Sequence, residues 1–226
     1  MRTFLPVAAA ALPLLAAACS AAPSPAAPPA AAPAASPTAS PLNGVQLKHL
    51  LAPASWFPPG FKADPGGSVN TGASDFAAPP PAHLPCRRLG ATGWIDMSGV
   101  TAVSFAQDDY TDASAGQYAQ EIDVYHATSA QDAMAGLRAL RSTCRSYRDP
   151  QTGGTVTVTF RKGPQLGDDA LAISLTNPRW AGGTTLEAVR VGTAVITVYY
   201  SSATGSGKAQ ATKLATQLVG NLQHQG

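Results

Sequence analysis

Polar and apolar positions alternate with a period of two in much of the C-terminal half. Val156, Val158 and Phe160 are set against Thr155, Thr157 and Thr159, the pattern of a half-buried strand. Residues 101–107, 118–127, 169–176, 184–191 and 194–201 read as further strands, the last two joined by the Gly192-Thr193 turn. In 118–127, Ile122, Val124 and His126 share one face and Glu121, Asp123 and Tyr125 the other. A turn through 112–116 joins the first two strands as a hairpin. The period changes to 3.6 after Thr128 and Ser129, where Met134, Leu137, Leu140, Cys144 and Tyr147 form a helical stripe, with Gln131 and Asp132 as capping-box partners. A second helix over 207–222 aligns Ala211, Leu214, Leu218 and Leu222, and a short one over 45–51 stops before Pro53. Residues 53–85 are Gly/Pro-rich and read as irregular. The sum is an α+β fold: an antiparallel sheet of about six strands with two long helices packed on one side.

The N-terminus follows neither period. An apolar run over residues 4–17, behind a single Arg2, is too short for a membrane span and is interrupted by Pro6 and Pro13. It ends at Leu14-Leu15-Ala16-Ala17-Ala18-Cys19-Ser20, which resembles the signal-peptide end of bacterial lipoproteins. That resemblance implies a cleaved signal over 1–18, a lipid on Cys19 and residence on the outer face of the cell membrane. Cleavage after Ala16-Ala17-Ala18 by an ordinary signal peptidase is the alternative. Residues 19–42 carry the lipidated cysteine and a Pro/Ala/Ser-rich run with no apolar face, the composition of a disordered tether with a reach of at most about 60–70 Å. Residues 43–226 then form a single α+β domain.

Of 226 residues 45% are apolar and 12% charged, enough for one core. A net charge of +2 is no footprint for nucleic acid. Three cysteines leave one odd; assigning Cys19 to lipid leaves Cys86 and Cys144 as a disulfide pair, 58 residues apart (144 − 86), in an oxidising compartment. No Gly-x-Ser-x-Gly, Ser-x-x-Lys or His-Glu-x-x-His signature occurs, so no catalytic residue and no cofactor is expected, and the domain reads as non-enzymatic. His49, His83, His126 and His224 lack metal-ligand spacing. Asp108-Asp109 and Asp168-Asp169 are neighbours that point to opposite faces of a strand and suit turns better than acid/base work. Gly205-Ser206-Gly207-Lys208 is a helix start. Trp56, Phe57 and Phe61 either line a pocket or order their loop as a small core of their own. Arg138, Arg141, Arg145 and Arg148, spaced three, four and three apart, fall on one helical stripe. They form either a solvated face or an anion-binding one, since guanidinium forks match phosphate geometry.

The order of hairpin, helix ending in a cysteine, strands and terminal helix is similar to the PknH-like extracellular sensor domain of mycobacterial kinases and many actinobacterial lipoproteins. Local likenesses are Gly163-Pro164-Gln165-Leu166-Gly167-Asp168-Asp169-Ala170 before a strand and Val189-Arg190-Val191-Gly192-Thr193-Ala194-Val195 at a hairpin. The low charged fraction, made up with Ala, Gly, Pro, Ser and Thr, also resembles actinobacterial proteins. The resemblance implies a membrane-anchored sensor or ligand-binding domain with a cleft between sheet and helices. Its expected partners are the membrane through the anchor and a small molecule, an anionic lipid, a cell-wall polymer or another envelope protein. The alternative function is a structural or accessory protein of an envelope complex, interacting through its sheet surface.

Overall fold

A computed structural model describes residues 40–73 and 84–224. The signal over 1–18, Cys19, almost all of the tether and His83 lie outside the described residues. The strands are β1 (Lys62–Asn70), β2 (Ser104–Thr111), β3 (Gln117–Val124), β4 (Ser146–Arg148), β5 (Thr155–Lys162), β6 (Asp169–Thr176), β7 (Gly183–Val191) and β8 (Ala194–Ser201). The helices are α1 (Gly44–Lys48), α2 (Ser129–Thr143) and α3 (Lys208–Gln223). All strands join one antiparallel sheet in the order β1-β2-β3-β8-β7-β6-β5-β4.

The α+β class holds, but the sheet has eight strands where about six are read from the pattern. Both additions are edge strands with weak periodicity. In β1 the Pro65-Gly66-Gly67 stretch is absorbed by a register shift between Asp64 and Val69, and an edge is where a strand tolerates such residues. β4 is three residues long and takes Tyr147 out of the helical stripe to which its spacing assigns it.

The two long helices also do not share one side. Along β8, Val195 and Tyr199 pack with Met134 and Leu137 of α2. Their neighbours Ala194, Ile196 and Val198 pack with Ala211, Leu214 and Leu218 of α3. β7 divides in the same way, Leu186 and Ala188 toward α2 and Val189 toward α3. The physical reason is that the central strands are apolar on both faces, and each face needs its own cover. α1 lies on the α3 side, where Leu47, Leu50 and Leu51 are buried and Asn221 donates to the Leu50 carbonyl at 2.9 Å.

On the α2 side the helix covers only the middle of the sheet. Residues 84–103 form a roof beside it, made of 3-10 turns at Cys86–Gly90 and Trp94–Ser98. Trp94, Ile95 and Met97 of this roof are buried in the α2-side core, and a Cys86–Cys144 disulfide ties the roof to the end of α2. Backbones meet closely here: a Cβ on Gly136 of α2 would fall well under 3.0 Å from the Ser98 carbonyl oxygen.

Candidate functional site

Two cavities open on the α2 side of the sheet, and they have opposite chemistry. The larger, about 860 Å3, is a groove between α2, the end of β5, the turn over 163–168 and the start of β6. Arg138 and Arg141, one turn apart on α2, form one wall; Arg161 and Lys162 of β5 form another; Phe160 and Leu171 contribute apolar surface. Arg138 is ion-paired with Asp169 at the start of β6. Asp168 is engaged elsewhere, its Oδ2 accepting from the Gly192 amide at 2.7 Å and from Arg190 at 3.0 Å, behind the left-handed bend at Gly167. Among the described residues Arg141, Arg161 and Lys162 have no ion-pair partner. Lys162 shares the Phe160 face of β5, so with Arg141 it gives the open concavity two unpaired cations, which suit an anion with several oxygens.

The four-arginine stripe does not survive intact. α2 ends at Thr143, where Ser142 and Thr143 bond back to the carbonyls of Ala139 and Leu140 and Cys144 leaves helical geometry. Arg145 therefore falls on the link to β4, its carbonyl accepting from the Val158 amide at 2.9 Å, and Arg148 falls within β4. Neither lines the groove, whose other two cations come from β5. Strand pairing of β5 with β6 puts Lys162 opposite Leu171, a placement with no local signal in the sequence.

The second cavity, about 290 Å3, lies under the roof against β2 and β3. Its floor carries Glu121 and Asp123, two apart on β3 and thus on one face, 6% and 4% exposed. Glu121 Oε2 and Asp123 Oδ2 have no hydrogen-bond partner. Burial pushes both carboxyls well above the usual carboxylate range, reinforced at Glu121 by Asp123 and at both by Asp96. Asp109 of β2, buried nearby, is raised to about 6 by the same loss of solvent, against hydrogen bonds from Gln107 and Thr92. At the mouth Arg88 meets Asp96 at 3.4 Å, both well exposed. Ile95, Val100, Ala102 and Phe105 make the apolar walls.

The remaining candidates have structural partners. Cys86 and Cys144 are bonded, with Cα atoms 5.4 Å apart. Phe57 stacks on Tyr110 at 3.8 Å, and Trp56, Phe57 and Phe61 each meet the Tyr118 ring edge-on, so these aromatics form a small core on the α3 side. Trp180 donates its indole N–H to Asp149 at 2.8 Å. Among the described residues no three of His, Cys, Asp and Glu group as metal ligands.

No protein-family model and no curated protein sequence matches the chain. A solved structure does: the extracellular domain of PknH from Mycobacterium tuberculosis, at a TM-score of 0.57 and 12% identity, covering 82% of this chain and 98% of that one. The two share a fold. At that identity the likeness carries architecture alone, which agrees with the order of elements read from the sequence. Among the described residues no helix is long and apolar enough to cross a membrane.

Proposed function

We propose that the chain is a lipid-anchored extracytoplasmic protein whose non-catalytic, sensor-like domain binds a phosphate-bearing anion in the groove between α2 and β5. The observation that carries this reading is that Arg141 and Lys162, without an ion-pair partner among the described residues, border a concavity of about 860 Å3. The anchor rests on the Ala18-Cys19-Ser20 junction after the apolar run, and a cysteine lipidated at that point leaves the even pair that the structure bonds. The extracytoplasmic setting is supported by that disulfide and by the fold held in common with an extracellular domain. The accessory reading has less support: among the described residues only Val45 and Val69 are large, apolar and exposed, and the open part of β5 presents Thr155 and Thr157.

Two measurements test the proposal. Acyl labelling in the host is expected on the wild-type chain and absent from Cys19→Ala; label retained on the variant refutes the anchor. The Cys19→Ala chain, free of lipid, is then mixed with phosphatidylglycerol vesicles, phosphatidylcholine vesicles and soluble polyphosphate. A charge near an anionic surface is worth about 1 kcal/mol, so Arg141→Glu with Lys162→Glu is expected to weaken binding to the anionic probes at least thirtyfold. Equal binding by variant and parent overturns the groove assignment, and preference between the two anionic probes identifies lipid or polymer as the source of phosphate.

A further inference from the structure

We propose that the cavity under the roof is a second binding site, which takes a small organic cation: an ammonium or guanidinium group on a short apolar chain. The two cavities share no lining residue, and this site goes beyond the anion groove rather than depending on it.

The argument begins with hydrogen-bond accounting. Buried polar atoms in folded proteins are almost always partnered, because an unmet acceptor has lost water and gained nothing. Here two such atoms, Glu121 Oε2 and Asp123 Oδ2, sit on adjacent same-face positions of one strand and line the same cavity. Ionised carboxylates accept only, so the group that satisfies both together is a multiple N–H donor carrying positive charge. A metal ion is the less suitable cation, since the described residues present no group of three ligands. The walls set the rest of the ligand. Ile95, Val100, Ala102 and Phe105 are apolar, and about 290 Å3 holds a chain of a few carbons beyond the charged head. Phe105 and Tyr125 add aromatic surface suited to a cation.

Charge around the site has the matching sign. Glu121 is faced by Asp123 and Tyr125 on its own strand, by Asp109 on β2, by Tyr199 on β8, and by Asp96 and Arg88 from the roof. Arg88 is the one cation among them and is held at the mouth by Asp96. Without a ligand, burial favours the protonated form of both floor carboxyls. When the cation enters, a floor O–H bond breaks, its proton passes to solvent, and the carboxylate left behind accepts from the ligand's N–H. Uptake of one positive charge is thus balanced by release of up to one proton.

The test is calorimetric titration of the full-length chain with n-butylammonium, 1,4-diaminobutane and butylguanidinium at pH 5.5, 6.5 and 7.5, in two buffers of different ionisation enthalpy. Expected are saturable binding of at least one probe, release of up to one proton per ligand, and affinity rising up to tenfold per pH unit. Glu121→Gln and Asp123→Asn, which keep shape and remove the charge, are each expected to weaken binding at least tenfold. Arg88→Ala, on the exposed rim, is expected to strengthen it severalfold by removing the competing cation and freeing Asp96. Failure of all three probes to bind at 10 mM overturns the proposal. So does binding that Asp123→Asn and Arg88→Ala both leave unchanged, whether or not Glu121→Gln folds, or saturable calcium binding that excludes the probes. None of these outcomes bears on polyphosphate or vesicle binding at the groove, so the two sites stand or fall separately.

Discussion

Breaking the Cys86–Cys144 bond is expected to remove a large part of the domain's stability. The bond links positions 58 residues apart, and the loop it closes contains β2, β3 and all of α2. In the chain-entropy description that separation costs the unfolded chain about 14 cal/mol/K, or about 4 kcal/mol at 25 °C. Ordinary domains have about 5–15 kcal/mol in total, and at about 2–4 °C per kcal/mol for this size the melting temperature falls by roughly 8–16 °C. Cys144 is 2% exposed, so replacing it also removes buried sulfur, whereas reduction leaves the packing atoms in place. Equilibrium urea unfolding of the wild type, oxidised and reduced, beside Cys86→Ala/Cys144→Ala therefore separates the tether from the packing. The difference between oxidised and reduced protein is the tether; the further loss in the double variant, about 1 kcal/mol, is packing. Amide exchange should speed up first in residues 86–98, because the roof is the element the bond holds down. A loss on reduction below about 1 kcal/mol would refute the entropic reasoning, and alkylation of Cys86 and Cys144 without reductant would refute the bond.

Two further perturbations probe the same face of the sheet. Gly136→Ala gains about 1 kcal/mol of helix propensity, but the new methyl meets the Ser98 backbone oxygen, which has no flexible end to move aside. The balance is expected to be a net loss of about 1–2 kcal/mol in urea unfolding, and a stabilised variant would show that roof and helix are not in contact. For Asp109, 4% exposed and raised from 3.8 to about 6, the folded state keeps a proton that the unfolded chain has lost. Stability therefore falls as pH rises from about 4 through 6, by about 3 kcal/mol for this group, and Asp109→Asn should remove that share of the slope. Glu121 and Asp123, whose carboxyls burial also raises, act with the same sign, so replacing them as well flattens the curve further. A stability curve that rises over this range would contradict the burial of all three carboxyls.

Legibility followed periodicity. β5 with its Val/Thr alternation, β6 over Asp169–Thr176 and the β7–β8 hairpin stand where the pattern puts them, as do both long helices at their N-terminal ends. The turn chemistry of Asp168 and Gly167 was equally readable, because a short acidic side chain after a glycine has few other uses. β1 leaves no such periodic trace because its glycines and proline belong to an irregular edge that pairs in two pieces. The placement of helices on opposite faces had a signal: Ala194-Val195-Ile196-Thr197-Val198-Tyr199 is nearly continuous in apolar residues, and a strand of that kind is buried on both sides.

The two cavities show why site residues are harder to find than strands. A helical stripe extrapolates only as far as the helix, so it holds for Arg138 and Arg141 but not for Arg145 and Arg148, which lie past the point where Cys144 turns the chain. For β3 the alternation holds but does not by itself say what covers the polar face. Glu121, Asp123 and Tyr125 do occupy the face opposite Ile122 and Val124, and period two ordinarily assigns such a polar face to solvent. What buries it is the roof over 84–103, a stretch whose 3-10 turns leave no periodic trace and which comes before the strand in the chain. Two carboxyls that would rest easily in water are thereby enclosed with an oxygen each unmet, a cost that a simple structural role for β3 does not explain and that a charged guest would offset.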